Sequence, residues 1–170
     1  MIVSNSSPLI GLGRIGRLGL LKDLFGVVLI PEGVKSEVID RGIENNAPDA
    51  YVIKIALSEG WIRIKETTVL SGLEDFGIDR GEAEAISLAK ESDSKEVLID
   101  ERHARLAAKA LGLTPRGTLY VLFLALKKNI ITQNEYEKAL FDLVKAGFRM
   151  SDQVYLEAIR MGRDLAGDNK

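Results

Sequence analysis

Carboxylate side chains occur at two neighbouring element ends within residues 79–113. Glu82 stands in the first turn of a predicted helix, and Asp100 and Glu101 directly follow a short apolar run, Val97-Leu98-Ile99. Carboxylate oxygens are the ligands that hard divalent cations such as Mg²⁺ prefer, and such ions orient and deprotonate water. These residue types therefore indicate a candidate site at which a metal ion activates a water molecule.

A helix, a strand and a second helix must position these acids. Asp79 and Glu82 form a D-x-x-E variant of the capping box, which opens a helix over residues 79–91. Glu82 shares the apolar stripe of this helix with Ala85 and Ile86, whereas the spacing of Glu84 predicts a mixed, outward face. The run 97–99 predicts a buried strand, and residues 102–111 predict a second helix. Asp100 and Glu101 therefore follow the carboxyl end of a strand.

Two further polar residues come from the N-terminal part of the chain. Residues 1–3 predict a buried strand, and Asn5 lies in the polar break that follows it. Ser7 is predicted to cap a helix that has Pro8 at its first position and runs to about residue 24. Pro31 opens another helix, to about residue 41, in which Glu37 lies beside an apolar stripe and too deep to be a cap.

The alternation of strands and helices predicts an α/β fold. We expect a three-layer α/β/α sandwich with a mainly parallel central sheet, as one domain over residues 1–165 with a tail at 166–170. Residues 27–30 and 61–64 predict strands, the second of them near the sheet edge, and residues 113–117 predict a last strand or turn. Further helices are predicted at 49–59 and 118–128, from a cap at Thr132 to residue 147, and after a cap at Ser151, while residues 45–48 and 67–78 predict connections. The ends of the first and fourth strands would share one edge, where Asn5, Glu37, Glu82 and Asp100 would converge.

Composition limits the classes of protein. The chain has 170 residues, of which 46% are hydrophobic and 28% charged, with a net charge of −2 and a sequence pI of about 5.6. This charge argues weakly against tight nonspecific DNA binding, so nucleic-acid contacts would need a local patch. The absence of cysteine excludes disulfides and thiolate metal sites and fits a cytoplasmic protein. The longest apolar run, residues 119–126, is much shorter than the ~20 residues of a membrane span.

Four segments resemble the PIN-domain nucleases, which include the VapC toxins. They are I-V-S-N-S-S-P-L-I at 2–10, L-F-G-x-V-x-I-P-E-x-V-x-x-E-V at 24–38, G-E-A-E-A-I at 81–86 and V-L-I-D-E-R-x-A-R at 97–105. The resemblance implies a three-layer fold, Mg²⁺ or Mn²⁺ held by acidic residues, and cleavage of RNA. It assigns the family's acids to Asn5, Glu37, Glu82 and Asp100, with Glu101 as an alternative fourth acid. The departure is Asn5, which has an amide where the family has a carboxylate.

Each of these residues also has a purely structural interpretation. Glu82 could be only the glutamate of a capping box, and Asp100 only the cap of the following helix. Asn5 could form an Asx-turn, and Glu37 could pair with Arg41. His103 is predicted to lie on a helix surface, because no second histidine completes a zinc site.

Candidate substrate contacts flank the acids. Arg80, Arg102 and Arg105 could hold phosphates or simply face solvent, and Ser4 and Ser6 flank Asn5.

The main hypothesis is a metal-dependent ribonuclease with RNA as substrate, potentially the toxin of a toxin–antitoxin pair with an antitoxin protein as partner. The alternative is a catalytically impaired PIN-fold nucleic-acid-binding or regulatory protein, and a third hypothesis is a small-molecule or nucleotide-binding domain. The G-x-G-x-x-G match at residues 11–16 lacks the strand context of a dinucleotide site. The strongly apolar helix at 118–128 and the family resemblance predict a homodimer.

Overall fold

The computed structural model describes residues 1–168, which form helices around a five-stranded parallel sheet. The strands are β1 (Ile2–Ser4), β2 (Val28–Ile30), β3 (Ile62–Ile64), β4 (Glu96–Leu98) and β5 (Thr114–Arg116). Their spatial order is β3-β2-β1-β4-β5, with every neighbouring pair parallel. The winding direction reverses between β1 and β4, where such sheets leave a crevice beyond the carboxyl ends of their strands.

The helices alternate with these strands along most of the chain. They are α1 (Ser6–Arg14), α2 (Gly19–Phe25), α3 (Glu32–Lys35), α4 (Gly42–Glu44), α5 (Pro48–Ser58), α6 (Arg80–Glu91), α7 (Arg102–Ala110), α8 (Thr118–Lys127), α9 (Gln133–Lys145) and α10 (Asp152–Asp168). A π-helical segment, Ser36–Arg41, joins α3 to α4, and a 3₁₀ turn, Leu73–Phe76, precedes α6.

The two faces of the sheet are buried by different helices. Successive strand residues point to opposite faces, so Val3 and Val97 pack with α6 and α7, whereas Ile2 and Leu98 pack in a larger cluster with α1, α5, α8 and α9. This is the predicted three-layer α/β/α sandwich, and the prediction of fold class is confirmed. The edge position predicted for β3 is also confirmed.

The N-terminal helix was predicted too long. α1 ends at Arg14 because Gly16, with φ of 68°, turns the chain and closes the helix end through hydrogen bonds from Gly16 N to Gly13 O and from Arg17 N to Leu12 O. The N-cap is Asn5 rather than Ser7, and its side chain makes no capping hydrogen bond. Both side chains are therefore available for the site described below.

Most of the apolar surface of α8 is covered within the chain. The helix packs against α1, α2, α9 and α10, and Leu119 and Phe123 remain partly buried. The predicted caps at Thr132 and Ser151 are present, and α10 continues through residue 168, so residues 166–168 of the predicted tail are helical. Residues 169–170 lie outside the described range. No helix within residues 1–168 is long and apolar enough to cross a membrane.

Candidate active site

The chain segments after β1 and β4 lie side by side at the reversal point of the sheet. β1 and β4 pair in parallel, and the backbone N–H of Asn5 donates to Leu98 O at 3.0 Å. The residues that follow β1, Asn5 to Ser7, therefore lie beside those that follow β4, Asp100 and Glu101, at the carboxyl edge of the sheet.

Asn5 and Glu101 form the centre of the site. Asn5 is only 2% exposed, and its Nδ2 donates to Glu101 Oε2 at 2.9 Å. The Ser7 hydroxyl donates to the other oxygen of the same carboxylate. Asn5 Oδ1 is buried and has no hydrogen-bond partner among the described residues. Asn5 therefore stabilises the Glu101 carboxylate through its amide hydrogen, and its side-chain oxygen Oδ1 remains free to accept a further contact.

Glu37 reaches this centre from the π-helical segment. Its Oε2 accepts a hydrogen bond from Ser6 Oγ at 2.6 Å. Gly81 of α6 lies against this carboxylate, since a Cβ there would be 3.7 Å from Glu37 Oε2, an ordinary van der Waals distance. No ion pair joins Glu37 to Arg41 within residues 1–168, so the structural pairing considered from the sequence is not formed.

Glu82 is a capping-box residue that also lies buried beside the other acids. It completes the capping box, with Asp79 N donating to Glu82 Oε2 and Glu82 N donating to Asp79 Oδ1, both at 2.8 Å. It is also buried, and burial raises its pKa, as do the negative charges of Asp79, Glu101 and Glu37. The ionised form is therefore less favourable here than in an exposed glutamate, and a nearby cation would favour it.

Asp100 does not face this cluster in the way the sequence predicts. Its two carboxylate oxygens accept from the backbone N–H of Thr118 at 2.8 Å and from Thr118 Oγ1 at 2.7 Å. Asp100 therefore caps α8 rather than the helix that follows it, and burial raises its pKa. Of the two acids considered for the fourth position, Glu101 is the one that contacts Asn5 and Ser7.

The predicted substrate-contacting residues lie in different surroundings. Ser4 is fully buried and donates to the Asn5 carbonyl oxygen, so it offers no surface contact. Arg80 and Arg102 are exposed, and Arg80 Nε pairs with Glu84 at 2.6 Å. Arg105 donates to the Ile99 carbonyl oxygen at 2.9 Å. His103 is exposed on α7, as expected.

The prediction that Glu84 faces outward is wrong. Glu84 is 5% exposed, and its Oε2 accepts from the backbone N–H of Gly33 at 2.7 Å. Gly33 lies so close that a Cβ there would be 2.6 Å from this oxygen. The helical period places Glu84 away from the sheet but does not reveal that α3 packs against that side. Glu84 thus fastens the segment that carries Glu37 to the helix that carries Glu82.

A small cavity, here called the acid cavity, joins these groups. Its volume is about 60 Å³, and it is lined by Asn5, Ser6, Ser7, Glu37, Asp79, Glu82 and Glu101. Within residues 1–168, no three Asp, Glu, His or Cys side chains are arranged to hold a metal ion by themselves. The donor set nevertheless fits a hard cation, because it consists of oxygen atoms, includes the unpartnered Asn5 Oδ1 and carries excess negative charge. Mg²⁺ usually keeps several waters and takes only one or two carboxylates.

Ser7 and Arg41 have positions in the structure that differ from those predicted for them, since Ser7 contacts Glu101 and Arg41 borders a cavity instead of pairing with Glu37. Ser7 was assigned to capping, and only its place in the S-N-S-S run could have indicated a second role. Arg41 and Arg80 border a cavity of about 500 Å³ that shares Glu37 and Asp79 with the acid cavity. Basic groups therefore lie beside the acids although the chain is acidic overall.

The protein is an open α/β protein with a parallel sheet, and its acids lie at the point where the strand order reverses. In such proteins the functional site lies beyond the carboxyl ends of the strands. A family model described as a PIN domain matches residues 1–163, and the chain belongs to the PIN-domain family. PIN domains are generally nucleases, which indicates a nuclease-type function related to nucleic acids. Neither a curated protein nor a solved structure matches the chain.

Proposed function

We propose that the chain is an endoribonuclease of PIN type that uses Mg²⁺ or Mn²⁺ to hydrolyse phosphodiester bonds in RNA. The observation that carries this proposal is the acid cavity, where Glu37, Glu82 and Glu101 meet the unpartnered oxygen of Asn5 at the reversal point of the sheet. Family membership supports a nucleic-acid substrate, and Arg41 and Arg80 supply positive charge beside the acids.

The side chains of the cavity have separable roles in this proposal. Asn5 and Ser7 orient the carboxylate of Glu101, and Ser6 orients that of Glu37. A bound divalent ion would supply the positive charge that activates water and stabilises the leaving oxygen. Glu82 lines the same cavity as these carboxylates, and burial raises its pKa, so it would hold a proton more readily than an exposed glutamate while no cation is bound.

Asp100 follows the same strand as Glu101 but does not line the acid cavity, and its two oxygens accept hydrogen bonds from Thr118. The proposed ligands are therefore the residues that line the acid cavity, Glu37, Glu82 and Glu101 with Asn5, and Asp100 holds the start of α8.

Asn5 itself supports the alternative of a catalytically impaired PIN-fold protein that binds nucleic acid or regulates a partner. The amide makes the site one charge less negative than a fully acidic one and donates its hydrogen to Glu101. Because negative charge attracts a divalent ion, the affinity of this site for the ion would be lower than that of a fully acidic site. If the chain is an active ribonuclease, we propose that it acts as the toxin of a toxin–antitoxin pair and binds an antitoxin protein.

The test is cleavage of a single-stranded RNA with increasing Mn²⁺ or Mg²⁺. We expect slow, metal-dependent cleavage by the natural chain, loss in Glu37→Gln and Glu82→Gln, and faster cleavage in Asn5→Asp. Glu66→Gln, between β3 and the 3₁₀ turn, is the matched control, because Glu66 is exposed and does not line the acid cavity. Cleavage that persists in EDTA, or equally in Glu82→Gln and the control, would contradict the proposed site. RNA binding without cleavage in the natural chain and in Asn5→Asp would favour the impaired protein.

Homodimerisation stays a prediction. α8 is covered by four helices of its own chain, but a mainly apolar cavity of about 370 Å³ remains, bordered by Leu119 and Phe123 of α8 and by Val154 and Met161 of α10. Light scattering at micromolar concentration tests this prediction, and a monomeric mass would contradict it.

A further inference from the structure

A second, larger cavity opens beside the acid cavity, on the Glu101 side. This side cavity has a volume of about 460 Å³ and shares Ser7 and Glu101 with the acid cavity. Its volume lies within the range of roughly 300–1,000 Å³ that small-molecule sites occupy. Because the two cavities share lining residues, a molecule in the side cavity would lie directly beside the acids.

The wall of the side cavity is largely apolar. Ile10, Leu143 and Phe148 line it, together with Gly11, whose missing side chain leaves Phe148 close to the backbone of α1. A Cβ on Gly11 would lie 3.4 Å from the Phe148 ring and 3.7 Å from Leu143. The cavity therefore presents an aromatic ring and aliphatic groups rather than a polar, hydrated surface.

The end of α9 holds Phe148 in place. Gly147, with φ of 88°, ends the helix; its N–H donates to Val144 O, and Phe148 N donates to Leu143 O at 2.9 Å. This is a Schellman motif, in which the residue after the glycine packs back on the last helical turn. The ring is thus held before any ligand arrives. A leucine would satisfy the same packing, so packing alone does not require an aromatic ring.

Two arginines, Arg14 and Arg149, line the side cavity, whose remaining charged residues are the acids Asp100 and Glu101. The side chain of Arg14 is 48% exposed and weakly paired with Asp49 at 3.4 Å. Arg149 is exposed and makes no ion pair within residues 1–168. Arginine and an aromatic ring beside a phosphodiester-cleaving site are the groups that bind an unpaired nucleotide, through the phosphate and the face of the base.

We propose that the side cavity is a nucleobase subsite, in which Phe148 stacks on one unpaired base of the RNA while Arg14 and Arg149 contact its flanking phosphates. The proposal rests on the proposed function for the identity of the substrate. It adds a place for one base of that RNA, which must be unpaired because a base inside a duplex is stacked and paired and does not reach Phe148.

The first test is independent of catalysis. Saturation-transfer NMR in EDTA compares adenosine 5′-monophosphate with ribose 5-phosphate, which has the same sugar phosphate but no base. We expect the nucleotide to bind at least about fivefold more tightly, and Phe148→Leu to reduce its affinity by about fivefold or more, as expected for the loss of one stacked base. Phe141→Leu, on the exposed face of α9, is the matched control and leaves the affinity unchanged.

The second test uses single-stranded RNA with Mn²⁺. Phe148→Leu should raise KM without changing kcat or the Mn²⁺ midpoint, and a complementary strand should prevent cleavage. Nucleotide binding that depends on Phe148 without any RNA cleavage would overturn the proposed function and retain the subsite. RNA cleavage with equal KM in Phe148→Leu and Phe141→Leu, or equal binding of the nucleotide and ribose 5-phosphate, would overturn the subsite. Thermal melting confirms that each variant is folded.

Discussion

The change Asn5→Asp places a second carboxylate against Glu101 in a buried position. In the natural chain Asn5 Nδ2 donates to Glu101 Oε2 at 2.9 Å, and Asn5 is 2% exposed. The substitution is nearly isosteric, so it replaces an attractive contact by a repulsive one at almost the same distance. We expect the metal-free variant to fold but to be less stable, by an amount that depends on pH.

Two limits set the size of this effect. Coulomb repulsion between unit charges about 3 Å apart is about 6 kcal/mol at an effective dielectric constant of about 20. The folded variant avoids this repulsion when one of the two carboxyl groups is protonated. Protonation costs about 1.4 kcal/mol for each pH unit above the ordinary carboxyl pKa. The loss of stability relative to the natural chain should then be about 5 kcal/mol at pH 8 and about 1 kcal/mol at pH 5. The protonated aspartic acid also donates to Glu101 in place of the amide.

The sign follows from proton linkage. The folded variant holds one more proton than its unfolded chain between the ordinary pKa and the raised one, so its stability falls as pH rises through that window. Urea denaturation of both proteins from pH 5 to 8 in EDTA measures this difference. Millimolar Mn²⁺ at pH 8 should restore most of the lost stability, because the ion screens the two carboxylates.

Two controls separate charge from the loss of a hydrogen bond. Asn5→Ala removes the amide donor without adding charge, so its loss of stability should not change between pH 5 and 8. The double variant Asn5→Asp with Glu101→Gln exchanges amide and carboxylate across the pair and should recover most of the stability at pH 8. An equal loss at pH 5 and pH 8 in Asn5→Asp, or no recovery in the double variant, would refute the placement of Asn5 against Glu101.

Three further predictions concern neighbouring contacts. Thr118→Val should lower the free energy of unfolding by about 1.5–3 kcal/mol in urea denaturation, because Asp100 loses a hydroxyl donor while it stays buried. Gly42→Ala should cost about 1–3 kcal/mol in the same measurement, because its Cβ would lie 2.6 Å from that of Ala50. Burial raises the pKa of Glu82, so the stability that this group confers on the metal-free protein is lost as pH rises; the melting-temperature increase with Mn²⁺ should therefore be larger at pH 7.5 than at pH 5.

Each of these has a matched comparison. Thr118→Ser keeps the hydroxyl and should stay close to the natural stability; a Thr118→Ser loss equal to that of Thr118→Val would mean that the hydroxyl is not the cause. Gly19→Ala meets no atom within 4 Å and should be tolerated, in contrast to Gly42→Ala. An Mn²⁺ shift that is the same at both pH values, or unchanged in Glu82→Gln, would place the ion elsewhere.

The sequence alone predicts the sheet, most helices and the position of the site, since these follow from local patterns. Alternating apolar and polar segments indicate parallel strands, and parallel strands bring Asn5 and Glu101 to one edge whatever the side-chain details. The capping signals at Asp79, Thr132 and Ser151 are also local and are present in the structure.

The sequence-based assignments that differ from the structure depend on contacts between distant segments. Glu84 is buried by Gly33, which is 51 positions away, and the carboxylate of Asp100 is held by Thr118, which is 18 positions away. Phe148 reaches the side cavity only because α9 packs against α1. The residue pattern of a single helix gives no information on contacts between segments that are far apart in the sequence. The sequence alone therefore did not identify the roles of Glu84, Asp100 and Phe148.

The acids of this site also serve the fold, which explains why each could be interpreted in two ways from the sequence. Glu82 completes a cap and borders the acid cavity, and Asp100 caps α8 beside Glu101. Hydrogen bonds from the backbone and from serine hydroxyls fix these carboxylates before any ion binds, so little ordering cost remains for metal binding. Burial and the neighbouring negative charges raise the pKa of Glu82, so the energetic cost of the site lies in its buried acids. An amide at Asn5 makes the site one charge less negative, so the metal-free fold should be more stable than one with a fully acidic site, and the affinity for a divalent ion should be weaker.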